Sequence, residues 1–190
     1  WGGAFLMRQL SQMTVLVAGM GHIGNRCIDD FHALGARVIA YNRSVHDNPN
    51  VSAVYTTGQL GEAVEQADAI VVTLPGTERT NKLLSAEILQ QVRPGTILVN
   101  VGRGTVIDQA AMVNALADGR LAFAALDVVA DEPLPTDSPL WGLPNVIISP
   151  HTAGLDAHED RSIAELFARS ATLILDGREP LNRVNTVELY

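Results

Sequence analysis

One ten-residue segment constrains this chain more than any other: Val15-Leu16-Val17-Ala18 runs without a break into Gly19-Met20-Gly21-His22-Ile23-Gly24. Beyond it, Ile23, Cys27 and Phe31 recur at helical spacing on one predicted face. An apolar strand, a G-x-G-x-x-G turn and a helix, in that order, make a phosphate-binding unit. A pyrophosphate group needs backbone N–H groups at a helix N-terminus and no side chain in its way. Gly19, Gly21 and Gly24 permit the tight turn, the close approach and the helix–strand packing; His22, through its backbone, and Ile23 join them as candidate cofactor contacts. The glycine pattern alone is weakly specific. The strand before it, the helix after it and a second strand ending at Tyr41 make it more so.

Downstream, short apolar runs alternate with helical-period stretches up to about residue 150. Strands are predicted at 14–18, 37–41, 51–55, 69–74, 97–101, 121–128 and 145–149, the third being the weakest. Several are β-branched and apolar on both faces, as parallel strands covered by helices on both sides should be. Leu34-Gly35, Arg93-Pro94-Gly95 and Asp118-Gly119 close the helical stretches, each just before a strand. The expected fold is α/β: a doubly wound parallel sheet of the Rossmann type, spanning residues 1–156. A last helix follows, with Ile163, Leu166, Phe167, Ser170 and Ile174 near one face, stopped by Asp176-Gly177 and Pro180.

The chain carries 13 Lys plus Arg against 21 Asp plus Glu, a formal net charge of −8, which repels a nucleic-acid backbone. Nucleic acid is therefore not an expected partner. The longest unbroken apolar run, 121–126, is far below the ~18 to 20 residues that span a bilayer. The opening residues also lack the apolar core and cleavage site of a secretory leader. With the single Cys27, read as a small buried hydrophobe, these features predict a cytoplasmic protein that makes no membrane contact. No metal site is expected.

At the end of the second strand an enzyme that takes NAD would carry an acid to bind the adenosine ribose. Here the chain reads Tyr41-Asn42-Arg43-Ser44. Arg43 attracts a 2′-phosphate that an acid would repel, and Asn42 and Ser44 can donate hydrogen bonds to it. The predicted cofactor is NADP(H), with NAD(H) possible.

Three further strand ends carry groups suited to chemistry: Arg103 between two glycines, Asp127 followed by Glu132 in a Pro-rich loop, and His151 after the last strand. All lie at the edge where open α/β sheets bind ligands. Reduction of a 2-keto acid needs a cation for the substrate carboxylate and carbonyl, and an acid that protonates the carbonyl oxygen. Arg103 and His151 fit those roles, and a carboxylate such as Glu132 on the other ring nitrogen would hold the imidazole and favour its protonated form.

Residues 19–24, Leu74-Pro75-Gly76-Thr77-Glu78-Arg79-Thr80, 99–104, 126–135 and 150–154 together resemble the D-isomer-specific 2-hydroxyacid dehydrogenase family, especially its glyoxylate and hydroxypyruvate reductase branch. The resemblance implies that Arg103 binds substrate, that Glu132 and His151 form the acid/base pair, and that Asp127 holds the nicotinamide carboxamide. It places Leu74, Pro75, Thr80, Val101, Gly102, Arg103, His151, Ala153 and Gly154 with the glycine turn and residues 42–44 along the cofactor cleft. It also implies a homodimer acting on a small 2-keto or 2-hydroxy acid.

In that family a substrate lobe precedes the cofactor lobe. The glycine turn comes so early here that most of the substrate lobe is expected to be absent, leaving 157–190 as the segment that returns to it. Such a chain is expected to bind cofactor with little turnover. Two other readings stay open: a non-catalytic dinucleotide-sensing module, and a family member acting on a different, for example phosphorylated, hydroxy acid.

Overall fold

The computed structural model describes residues 8–184 and divides the chain into two compact units, residues 1–151 and 152–190. The first unit holds one parallel sheet of seven strands among the described residues: β1 (Thr14–Ala18), β2 (Arg37–Tyr41), β3 (Ala53–Tyr55), β4 (Ala69–Val72), β5 (Thr96–Asn100), β6 (Leu121–Leu126) and β7 (Val146–Ile148). Their spatial order is β3-β2-β1-β4-β5-β6-β7. The chain therefore winds outward from β1 to β3, returns to β4 beside β1, and continues the other way. That reversal opens a crevice at the C-terminal ends of β1 and β4, where a doubly wound sheet accepts a ligand.

Alternation along the strands sorts the core into two layers. Leu16, Ile39, Ile70, Leu98 and Leu126 form one, with α2 (Leu60–Val64), α3 (Ala86–Leu89) and α4 (Gln109–Ala117) contributing Ala63, Leu89 and Met112. Val15, Val17, Val38, Ala40 and Val71 form the other, against Ile28 of α1 (His22–Ala33). The cover is uneven. β5 alternates buried Thr96, Leu98 and Asn100 with half-buried Ile97 and Val99, and Ile147 at the β7 edge is exposed.

Two differences from the sequence reading have local causes. β4 ends at Val72 rather than 74 because Thr73 turns its hydroxyl onto the carbonyls of Ala18 and Gly19 (3.1 and 3.2 Å), tying the two central strand ends together. The buried stripe of α1 is centred on Gly24 and Ile28, with Cys27 and Phe31 at its margins; Ile23, placed on that face by spacing, is 58% exposed. At 100° per residue, Ile23 lies one step round the helix from Gly24, which takes the contact with the sheet.

In the second unit α5 (Glu159–Leu175) ends at Asp176-Gly177, where Gly177 takes a positive φ of 69° and donates to the Ile174 carbonyl. No residue of α5 is buried, and Ile163, Phe167 and Ile174 are exposed. No helix among the described residues is long and apolar enough to cross a membrane.

Candidate active site

The glycine turn shows which of its three glycines the protein itself needs. Gly19 has φ 110° and donates its N–H to Tyr41 O at 2.8 Å, and a Cβ there would meet Thr73 Oγ1 at 2.7 Å. A Cβ on Gly24 would sit 1.8 Å from Gly19 O. Gly21, the N-cap of α1, is different: its φ is −76°, which any residue adopts, and a Cβ would meet nothing within 4 Å. No side chain caps this helix end. First-turn N–H groups have no partner within a helix, and they carry the positive end of its dipole. A helix end without a side-chain cap, at a glycine that packing does not require, fits the phosphate of a dinucleotide. His22 and Ile23 form the exposed first turn beside it.

At the end of β2, Asn42 bridges the two loops: its Oδ1 accepts from Met20 N–H (3.3 Å) and its Nδ2 donates to Ser44 O (3.0 Å). This is a tie within the protein that spacing did not reveal. Arg43 and Ser44 lie exposed at the tip. Across the crevice Leu74 is buried against Gly19, and the hydroxyl of Thr80 folds back onto Pro75 O (2.6 Å) while accepting from Thr77 N–H (2.9 Å). Thr80 thus holds the shape of the 75–80 loop.

The turn after β5 carries Arg103. Asn100, fully buried at the end of an apolar strand, accepts from Gly102 N–H (3.0 Å) and donates to Arg103 O (3.1 Å), closing the turn. Gly102 packs so closely on Leu74 that a Cβ would lie 2.5 Å from Leu74 O, and half-buried Val101 donates its N–H to Val72 O. Gly76 gives room to the Arg103 stem, whose Cγ is 3.2 Å from where a Cβ would stand.

Asp127 is 7% exposed; it accepts from Ser149 Oγ at 2.5 Å, and its carbonyl accepts from His151 N–H at 2.9 Å. That backbone bond helps fix His151 in the left-handed region, φ 56°, where non-glycine residues are uncommon. The Glu132 carboxylate divides its oxygens: Oε1 accepts from Val129 N–H (3.1 Å), and Oε2 lies 2.8 Å from His151 Nδ1. The His151 hydrogen bond lowers the Glu132 pKa from its ordinary value, and the Val129 N–H and the charge of Arg103 act in the same direction. An ionised carboxylate only accepts, so Nδ1 carries the proton and Nε2 is the nitrogen left for acid/base work.

The structure thus brings Arg103, Glu132 and His151 to one strand edge, the edge that also holds the glycine turn. Ala153 and Gly154 belong to the second unit and are exposed. Sequence reasoning passed over Asn100, Ser149 and Gly76. Their only signals were a polar residue closing an apolar strand, a hydroxyl two residues before His151, and a glycine facing an arginine from another loop. Among the described residues, no group of three or more His, Cys, Asp or Glu side chains could hold a metal ion.

Comparison with known proteins places the chain in a family. A family profile described as D-isomer specific 2-hydroxyacid dehydrogenase, NAD binding domain, matches residues 1–153. A glyoxylate/hydroxypyruvate reductase B from Pectobacterium atrosepticum is 36% identical over 174 residues, 90% of this chain and 54% of the relative. A D-3-phosphoglycerate dehydrogenase from Mycobacterium bovis is 37% identical over 172 residues, 90% of this chain and 32% of the relative. The chain therefore spans about half, or less, of the length of these relatives. A D-isomer specific 2-hydroxyacid dehydrogenase from Xanthobacter autotrophicus Py2, solved with NADPH and MES, superposes with a TM-score of 0.92 at 32% identity, covering 100% of this chain and 77% of that one.

Proposed function

The chain belongs to the D-isomer specific 2-hydroxyacid dehydrogenase family as its NAD-binding domain, and on that premise we propose that the protein reduces a small 2-keto acid, such as glyoxylate or hydroxypyruvate, with NADPH. The observation that carries the reading is the 2.8 Å contact between Glu132 and His151 Nδ1, with Arg103 close enough to bias the same carboxylate. A bound reduced nicotinamide supplies a hydride. The chain's own groups do the rest. Arg103 holds the substrate carboxylate and polarises the carbonyl. His151 gives the Nε2 proton to the carbonyl oxygen as it becomes an alkoxide, and Glu132 holds Nδ1 and so fixes the ring's orientation.

The chain spans about half the length of its reductase relative, so the full reaction is assigned to the protein extended to that length, where closure over the substrate excludes water, and the 190-residue chain is expected to bind cofactor with little turnover. The test is an assay of NADPH oxidation by the protein extended to the length of its relatives, against a panel of 2-keto acids. His151→Asn is expected to cost about 10²- to 10⁴-fold in kcat, the usual range for a positioned general acid. An unchanged kcat overturns the assignment.

The NADP(H) preference rests on Arg43 at the end of β2, with no acid in the Asn42-Arg43-Ser44 stretch. A charge-assisted hydrogen bond of about 1.5 to 3 kcal/mol corresponds to roughly 10- to 150-fold preference. Arg43→Asp is expected to abolish that preference in parallel titrations of NADPH and NADH; an unaltered ratio refutes it. The D-3-phosphoglycerate dehydrogenase relative keeps a second substrate class in view, and a phosphorylated hydroxy acid belongs in the same panel.

A further inference from the structure

The loop after β2 is held more firmly than an exposed turn requires. Asn42 fastens its start to Met20 and to Ser44. Its far end is fastened through a run of amides: Asn48 Nδ2 donates to Asn25 Oδ1 (2.9 Å), Asn48 Oδ1 accepts from Asn50 N–H (2.9 Å), and Asn50 Nδ2 donates to Asp29 Oδ1 (2.9 Å). Asn25 in turn donates to the Met20 carbonyl at 2.7 Å. Both ends of the loop are thus bonded to the glycine turn and to α1. The tip between them presents Arg43, Ser44 and His46, all exposed, and Ser44 Oγ lies 3.1 Å from His46 Nε2.

That last contact bears on what Ser44 can offer an anion. A hydroxyl has one proton and two lone pairs. If Ser44 gives its proton to the imidazole, only lone pairs face a phosphate, and they repel it. If His46 donates its Nε2–H to Ser44 Oγ, the serine proton is free to point at the phosphate. An anion bound beside Arg43 favours the second arrangement, because the Ser44 proton then points toward negative charge.

We infer that His46 is a positioning residue of the adenosine 2′-phosphate subsite, acting through Ser44: the imidazole donates to Ser44 Oγ, and Ser44 donates to the phosphate that Arg43 attracts. The inference rests on the NADP(H) reading above. It assigns His46 a part in nucleotide choice, whereas the sequence presents it as one surface histidine among several.

Calorimetric titration of NADPH and NADH into the wild-type protein and the His46→Leu, His46→Gln and Arg43→Ala variants tests it. His46→Leu removes the donor at an exposed position, so the fold is expected to survive. NADPH affinity should fall roughly 3- to 10-fold, the value of one oriented hydrogen bond, while NADH affinity stays unchanged. His46→Gln, which restores a side-chain N–H of similar reach, should recover most of the loss. Equal weakening of both nucleotides identifies a merely structural role for His46 and overturns the inference, as does an unaffected NADPH affinity. Preference lost in Arg43→Ala but retained in His46→Leu removes His46 alone. A wild type without NADPH preference removes the cofactor reading, and this inference with it.

Discussion

Gly21 and Gly24 lie in one turn but carry separate tasks, and alanine at each position separates folding from binding. At Gly24 the added Cβ stands 1.8 Å from Gly19 O, 2.8 Å from Gly19 C and 2.9 Å from Thr73 Oγ1. Two of those atoms are backbone, so relief requires moving α1 away from the β1 end by more than an ångström, the gap between 1.8 Å and an ordinary contact. Overpacking of that kind costs about 1 to 3 kcal/mol where neighbours can shift, and more where they are backbone. Gly24→Ala is therefore expected to lose about 3 kcal/mol or more in urea unfolding, read from the midpoint at constant m. At Gly21 the backbone already suits alanine and the Cβ meets nothing within 4 Å. The roughly 0.4 to 1 kcal/mol gained by restricting the unfolded chain offsets the poorer capping of alanine, so stability should change by less than about 1 kcal/mol. The methyl group nevertheless adds bulk at the N-cap of α1, next to its first turn. If a pyrophosphate binds there, loss of one charge-assisted hydrogen bond weakens NADPH roughly 10- to 150-fold in a fluorescence titration. Wild-type affinity in Gly21→Ala would remove the phosphate from this helix end, and wild-type stability in Gly24→Ala would refute the close approach.

Two further perturbations test the residues that support the chemistry. Glu132 has its pKa lowered chiefly by the His151 hydrogen bond, so the stability it contributes is present above the unfolded glutamate pKa near ~4.3 and is lost as pH falls through the lower folded value. The stability difference between wild type and Glu132→Gln, followed by urea unfolding from pH 6 to pH 3, should therefore shrink on acidification; a difference that grows contradicts the ionised pair. Ser149→Ala takes a donor from the nearly buried Asp127 carboxylate and should cost about 1.5 to 3 kcal/mol, the range for a hydrogen bond to a charged group; a neutral effect in urea unfolding would show that Asp127 does not depend on it.

The sheet was legible because its information is local. β1 and β2 have the same limits in sequence and structure, since each is an apolar run bounded by clear punctuation, Ala18-Gly19 in one case and Tyr41-Asn42 in the other. Where β4 was read too long, a side chain just past the strand ended it. Thr73 continues the apolar-to-β-branched pattern of β4, but its hydroxyl satisfies the carbonyls of Ala18 and Gly19, and no periodicity encodes that choice. The catalytic candidates were legible for a related reason: in a parallel sheet all strands end at one edge, so residues just after strands far apart in sequence meet there. Their supports were not. Asn100 acts within its own turn, but Ser149 reaches Asp127 across 22 positions, and Gly76 makes room for a side chain 27 positions away.

The same distinction explains how an acidic chain can hold an anionic cofactor. A net charge of −8 sets the far field, which ions screen over about 8 to 10 Å. Binding is decided closer in, by groups whose partners are fixed by hydrogen bonds rather than by total charge. The first-turn N–H groups of α1 have no side-chain cap and Gly21 adds no side chain beside them, while Asn42 ties down the turn that precedes them. Arg43 stands at the other end of the same bridge, beside a loop bonded to α1 through Asn48 and Asn50. Glu132, whose charge the proposed substrate cation Arg103 senses, gives its two oxygens to Val129 N–H and His151 Nδ1. Reversing several surface charges far from this edge should therefore alter association rate and salt dependence more than the NADPH-to-NADH ratio, which the proposed reading assigns to Arg43.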